Sequence, residues 1–321
     1  MNKNNIIGAV LMAAVFIGYS IYSQPSKEEK AAAARQDSIE NVARKNAENA
    51  AKLAAQQKVA QAQAAAKADT TALFHSALKG KATNVVLKNS SVELTLNTKG
   101  GVVSKAVIKN FTDYNGNSNV TLFDSSSQSL NFALAAKEVN INTADLYFTP
   151  SNQTDSTVTM TATAGDGKEL VINYVLGSDY MLHAKLQTVG MANDFAPSVS
   201  QMDVQWKEMC RQQERGFTFE NRYASLTYHK VDGGTDYLSE AKSITDENIE
   251  KKIDWVAFKN QFFSAVMIAK NNFAENSLMT SVPQEKGSGN LKQYEAKMKT
   301  FFDPSGKTPS EFDFYFGPND F

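Results

Sequence analysis

The stretch Val92-Glu93-Leu94-Thr95-Leu96-Asn97-Thr98-Lys99-Gly100-Gly101-Val102-Val103-Ser104-Lys105-Ala106-Val107-Ile108 carries two apolar runs on either side of a glycine pair. Val92, Leu94 and Leu96 recur with period two, the spacing that puts them on one face of an extended chain and leaves Glu93 and Thr95 on the other. Gly100-Gly101 is the natural punctuation between two strands. A phosphate-binding loop would need a helix amino terminus directly after the glycines, and residues 102–108 read as a second strand instead. The unit is therefore a β-turn between antiparallel strands.

The same texture extends outward. Alternation recurs over residues 157–163 and 182–189, and turn signals stand at Asn115-Gly116, Asp166-Gly167, Asp232-Gly233-Gly234, Gly287-Ser288-Gly289 and Pro304-Ser305-Gly306. Short strands with no long helical pattern between them favour an antiparallel sandwich over a parallel α/β sheet. The 240 residues of 82–321 exceed a single immunoglobulin-like unit, so the expected body is large, all-β and two-layered. Phe258, Phe262 and Phe263, and Phe312, Phe314, Tyr315 and Phe316, read as core strands. Residues 239–253 and 208–215 read as short helices or surface excursions.

Upstream the physics changes. Residues 6–22 (IIGAVLMAAVFIGYSIY) are uncharged between Lys3 and Lys27, long enough as a helix to cross most of a hydrocarbon core. Ile6, Val10, Leu11, Val15, Phe16, Ile17 and Ile21 would supply the lipid contact. Lys3 and the terminal amine favour a cytoplasmic amino terminus. A cleaved signal peptide is the rival, with Gly18-Tyr19-Ser20 as its small-residue site, but apolar residues continue beyond it. No cysteine near the run carries a lipid. Residues 27–81 are rich in Ala, Lys and Gln, with good helix propensity but too few large aliphatics for a coiled-coil seam, so they read as a helical or disordered tether. The organisation expected is thus 1–26 anchor, 27–81 tether, 82–321 exported β body.

Chemistry is sparse. With 33 basic and 34 acidic side chains there is no basic surface for nucleic acid. The single cysteine, Cys210, forms no internal disulfide, and no two of His75, His183 and His229 share metal-ligand spacing. The expectation is no catalytic residue, no cofactor and no metal. The densest charged cluster is Glu208, Arg211, Glu214, Arg215, Glu220 and Arg222, with Phe217, Phe219 and Tyr223 beside it. Paired carboxylates with aromatic platforms would suit a sugar site, whereas alternating charges on a loop more commonly make a solvated surface. Cys210 reads as a quiet, partly buried thiol.

Three strings now fall into one order: NTKGGVVSKAVI over 97–108, WVAFKNQFF over 255–263 and YFGPND over 315–320. Together with the apolar run and the tether they resemble the amino-terminal half of the bacterial YidC insertase family, and the Ala-rich tether is similar to its Bacteroidetes branch. Asn97, Gly100, Gly101, Trp255, Gln261, Phe262, Gly317 and Pro318 carry the resemblance. It implies a periplasmic β-supersandwich of galactose mutarotase-like fold at the inner membrane, with membrane lipid, nascent membrane proteins and Sec translocon subunits as partners. In that family a five-helix insertase core follows the Gly-Pro strand; residues 82–321 contain no second apolar span, so this chain is expected to lack that core. A membrane-tethered carbohydrate-binding or epimerase-like sandwich, and a plain periplasmic scaffold, are the alternatives.

Overall fold

The computed structural model describes residues 72–238 and 244–319. The anchor residues Ile6 through Ile21 and most of the tether lie outside them. Among the described residues no helix is long and apolar enough to cross a membrane.

The first sheet has four strands in sequential antiparallel order: β1 (Asn84–Lys88), β2 (Val92–Asn97), β3 (Val102–Lys109) and β4 (Asn119–Phe123). The alternation quoted above is realised as read. Val92, Leu94 and Leu96 are fully buried, and Asn97 pairs with Val102 across the glycine turn.

The second sheet begins with β5 (Gln128–Ala135), β6 (Asn140–Asn142), β7 (Thr149–Ser151), β8 (Thr157–Gly165), β9 (Lys168–Leu176), β10 (Met181–Val189) and β11 (Gln201–Arg211). A two-turn helix, α1 (Phe217–Tyr223), interrupts it. The sheet resumes with β12 (Ser225–Lys230), β13 (Thr235–Tyr237), β14 (Thr245–Ile249), β15 (Ile253–Lys259), β16 (Phe263–Phe273), β17 (Ser277–Pro283), β18 (Asn290–Phe301) and β19 (Ser310–Pro318). Its backbone order is β6-β5-β11-β18-β16-β19-β10-β9-β8-β7, with β12, β13, β14, β15 and β17 branching from it. Every strand pair is antiparallel, as short turns between strands require. At the β8–β9 hairpin Asp166 and Gly167 both take positive φ, the conformation of a tight turn that matches strand twist.

Aromatic side chains fill the core, both within the second sheet and between the two sheets. Trp206 stacks on Phe258 with ring centroids 4.0 Å apart, Phe132 meets Phe312 at 5.2 Å and Phe123 meets Phe316 at 5.4 Å. Each fully buried large side chain of this kind contributes roughly 1.5–3 kcal/mol.

Four sequence expectations need correction. Residues 208–211 are not a helix but the end of β11; the helix begins at Phe217, after Gly216. Within 239–253 the described residues form β14 and the start of β15, because Ile249 and Ile253 find the core. Phe262 is not in a core strand: it sits exposed in the β15–β16 turn, where strand alternation no longer applies. His75, placed by composition in the tether, lies in the folded body. There Phe74 and Ala77 are buried, and the Ser76 hydroxyl reaches the Thr163 carbonyl of β8 at 3.4 Å.

Candidate functional site

The register gathers several loops at one end of the second sheet. Arg211 at the end of β11 pairs with Asn290 at the start of β18; Ser225 pairs with Lys259, Lys259 with Ser264, and Phe263 with Pro318. The segments 212–224, 260–262 and 284–289, and the chain beyond Pro318, therefore emerge together. The 110–118 loop joins them through an edge-on contact of Phe111 with Phe263 and a hydrogen bond from Tyr114 N–H to the Gln213 carbonyl.

The charged cluster of the sequence is here, but it is neither a carboxylate pair nor a solvated loop. Glu208 projects inward from β11 and is 3% exposed, with Oε2 buried and lacking a hydrogen-bond partner. Burial pushes its carboxyl well above the ordinary range, against the opposing pull of Arg211. Glu220, fully buried on α1, accepts the backbone N–H groups of Gln213 (2.9 and 3.1 Å) and Glu214 (2.9 Å) and so fastens the helix to the β11 exit. Burial raises its pKa, and those N–H donors offset the effect in part. Glu214, Arg215 and Arg222 alone are left at the surface. The cluster does not present two carboxylates to one open site: Glu208 is buried, Glu220 is occupied by backbone N–H donors, and Glu214 alone of the three lies at the surface.

Cys210 is completely rather than partly buried. Its thiol is pushed well up by burial and by Glu208 and Glu220, with Lys292 opposing, so it is a poor nucleophile. The Lys292 ammonium, itself buried, donates to the Ala224 carbonyl at 2.7 Å. Arg211 pairs with Asp124, whose carboxyl is pushed up by burial but held down to about 2 by Ser126 and Arg211.

A polar cleft of about 330 Å³ opens beside Arg211, walled by Asp113, Tyr114, Asn117, Asn119, Gln212 and Gln213. Behind Arg211 a void of about 10 Å³ touches Glu208, Asn260 and Ser264, room for about one water. The sequence marks Arg211 and the turns at Asn115-Gly116 and Gly287-Ser288-Gly289, but nothing in it brings them to one cleft. Lone amides at turns carry no pattern that predicts a cleft.

The remaining histidines sit on strands with acidic partners. His183 Nδ1 lies 2.6 Å from Asp313 Oδ1, with Lys270 on the other oxygen, and His229 Nδ1 lies 2.8 Å from Asp254. Among the described residues no group of three or more His, Cys, Asp or Glu side chains is placed to hold a metal.

The resemblance-bearing residues lie in the β2–β3 turn, on β15, in the β15–β16 turn and at the end of β19. Asn97 closes the glycine turn, its carbonyl accepting Gly101 N–H at 3.1 Å. Gly101 has φ +67°, and a side chain there would strike the Phe148 ring. Trp255 on β15 lies parallel to the His229 ring at 5.9 Å. Gln261 and Phe262 form the β15–β16 turn, to which Asn319 is fastened after Pro318. Asn319 N–H donates to the Phe262 carbonyl at 2.6 Å, and its side-chain amide donates to the Asn260 (3.1 Å) and Gln261 (3.2 Å) carbonyls. Gly317 packs against the Tyr180 ring, and the Tyr315 hydroxyl donates to the Pro318 carbonyl at 2.5 Å.

The family model described as the YidC periplasmic domain matches residues 84–321. Over its full length the chain is 46% identical to a membrane protein insertase YidC of Phocaeicola vulgatus, covering 51% of that protein. Over 99% of its length it is 40% identical to the same-named protein of Bacteroides fragilis, again covering 51%. The chain thus spans about half the length of the curated relatives it matches. Among solved structures it is similar to a galactose mutarotase-like protein from Lactobacillus casei (TM-score 0.48, 11% identity, 74% of this chain and 100% of the other). A putative aldose 1-epimerase from Escherichia coli is comparable (TM-score 0.47, 8% identity, 74% and 100%).

Proposed function

Because the chain belongs to the YidC periplasmic domain family, we propose that it serves as the periplasmic domain and first membrane anchor of a membrane protein insertase, assisting insertion and folding of inner-membrane proteins alone or with the Sec translocon. The observation that carries this reading is the family match across residues 84–321, joined to 46% identity over the whole chain with an insertase. The apolar run at 6–22 supports an anchor with its amino terminus in the cytoplasm, and the net charge of -6 on residues 82–321 (22 basic, 28 acidic) suits an exported soluble body.

On this reading the domain is not an enzyme. The polar loops of a client need a hydrated route through hydrocarbon, and the described residues hold β structure, one short α-helix and three single-turn 3-10 helices, so the body's contribution is contact and placement. The burial of Glu208 and the backbone contacts of Glu220 leave Glu214 as the one exposed carboxylate of the cluster, which favours the insertase reading over a sugar-processing one.

Photo-crosslinking in intact cells tests the proposal. Benzophenone side chains at exposed positions such as Phe219, Val175 and Leu278 should capture nascent inner-membrane proteins, translocon subunits or both. Capture of neither from any of the three faces, with the chain correctly localised, overturns it.

A further inference from the structure

β4 is an edge strand of the first sheet, pairing with β3 and with no strand beyond it. Lys109, the β3 partner of Asn119, donates its N–H to the Ser91 carbonyl on the β2 side. The Lys109–Asn119 pair is therefore of the non-hydrogen-bonded kind, and Asn119 and Thr121 turn their backbone groups away from β3. Proteins blunt such edges with lysine or proline, and residues 119–123 contain neither. The opposite edge of the sheet is closed at Lys88, whose N–H donates to the Asp155 carbonyl at 2.7 Å.

The open edge faces the cleft beside Arg211, since Asn119 and Thr121 both line it. Part of that edge already binds an amide. Gln213, 5% exposed, donates its side-chain N–H to the Thr121 carbonyl at 2.9 Å, as a peptide group of a neighbouring strand would. Among the described residues none does the same for Asn119, which is exposed.

The charges of the cleft are committed to partners of its own wall. Asp113 and Arg211 are its charged lining residues. The Asp113 carboxylate accepts the backbone N–H groups of Asn115 and Asn117, both at 2.9 Å, and the Asn117 side-chain amide at 2.7 Å; Arg211 pairs with Asp124. Glu214, Arg215, Glu285 and Lys286 stand exposed on the flanking segments, two of each sign, and do not line it. What remains is amide: Asn115, Asn117, Asn119, Gln212 and Gln213 offer a donor beside an acceptor, so the wall suits a neutral ligand that offers both along its length. A cleft of about 330 Å³ stands at the lower end of the range of ligand sites, roughly 300–1,000 Å³, and admits a short piece of chain rather than a folded body. A sugar also meets amides, but only an extended chain continues a β-sheet, and the strand edge decides between them.

We propose that the cleft holds a short extended segment of polypeptide, which adds to the Asn119 edge of β4 as a further strand of the first sheet, flanked by the amides of Asn115, Asn117 and Gln212. This rests on the client-contact reading above and names what is recognised in a client: uncharged, unfolded chain, through its backbone.

The probe is a fluorescein-labelled hexapeptide of alternating threonine and valine, blocked at both ends, added to the full 321-residue chain in detergent micelles. Anisotropy should show saturable binding, and hydrogen exchange read by mass spectrometry should slow over 119–121 and stay unchanged over β9 and β10. The same peptide N-methylated at every residue keeps its side chains and loses its donors, and should bind at least about tenfold more weakly, the scale of one backbone hydrogen bond. Asn119→Pro should weaken the unmodified peptide likewise, because proline is accepted at the first position of a strand but has no N–H. Its melting temperature shows whether that variant folds, and the methylated peptide tests the same bonds on the parent chain. Equal binding of the two peptides, or binding of neither, overturns the proposal. So does protection of 119–121 by maltohexaose and not by the hexapeptide, which would make the cleft a glycan site. Client capture by photo-crosslinking with no peptide bound in the cleft overturns the cleft alone; peptide bound there with no capture from any face overturns the insertase reading instead.

Discussion

The Tyr174 hydroxyl of β9 donates a hydrogen bond of 2.9 Å to the carbonyl oxygen of Gly101, tying the second sheet to the glycine turn of the first. Both groups are buried, and burial pushes the phenol's pKa up, so the proton stays on the oxygen throughout the physiological range. Tyr174→Phe deletes the donor and strands a buried carbonyl, at a cost of about 1–2 kcal/mol. Gly101→Ala adds a strained positive φ and a collision with Phe148, and should cost more than Tyr174→Phe. Urea unfolding followed by circular dichroism measures both; equal stability of Tyr174→Phe and parent would show that the bond ties nothing.

Gly306 and Gly116 separate conformation from space. Both have positive φ, but a Cβ at Gly306 would overlap the Thr188 carbonyl oxygen, whereas one at Gly116 meets nothing within 4 Å. Gly116→Ala should therefore lose only about 1–2 kcal/mol for its backbone conformation. Gly306→Ala should lose clearly more, since backbone must move away from backbone. Thermal melts of the two variants rank them, and an equal loss would contradict the packing at Gly306.

Glu208 gives stability a pH dependence of defined sign. Burial holds the pKa of its carboxyl above the unfolded value, so from the ordinary carboxylate range upward the unfolded state binds fewer protons and folding weakens as pH rises. Glu208→Gln has no proton to lose. The melting temperature of the variant relative to the parent should climb as pH rises above the ordinary carboxylate range. A constant difference over that rise would mean that Glu208 is ionised in the fold.

Asp313 gives the opposite sign. Burial pushes its pKa up, but hydrogen bonds from Lys270 and His183 outweigh burial and hold it below the usual range. Its contribution is present above the unfolded pKa and fades as pH falls through the folded one. Asp313→Asn should cost about 1.5–3 kcal/mol at neutral pH, the scale of hydrogen bonds to a charged group. The penalty should shrink in acid, as measured by denaturant midpoints at both ends of the range.

These four sites also mark what the sequence can disclose. Alternation at Val92, Leu94 and Leu96 and the turn dipeptides announce strands and hairpins because burial on one face imposes period two directly on the residues. Glu208 lies in such an alternation too, between Trp206 and Cys210, all three facing inward. Its acidic chemistry disguised it as a surface residue, since only the fold shows that β11 is central. Phe262 failed in the opposite direction: a turn after Lys259 breaks the period that its neighbours Phe258 and Phe263 obey. The cleft by Arg211 unites residues near 113 with residues near 213, a juxtaposition created by sheet packing and carried by no local pattern.

Asn319 is the last described residue, and its grip on the β15–β16 turn should govern fraying at the exit of β19. Its backbone and side chain donate to Phe262, Asn260 and Gln261, and its Oδ1 accepts from the Ser264 hydroxyl at 2.5 Å. Asn319→Ala keeps the backbone bond and removes the rest, so its effect is local: a strand end opens at lower free energy than the sheet it belongs to. Hydrogen exchange read by mass spectrometry should quicken over 260–264 and 316–319 and stay unchanged over β9 and β10. The melting temperature should fall by only a few degrees, roughly 2–4 °C per kcal/mol for a body of this size. Acceleration spread evenly over the second sheet would mean that these bonds hold the whole fold, and none at all would mean that Pro318 and the Tyr315 hydroxyl secure the exit without Asn319.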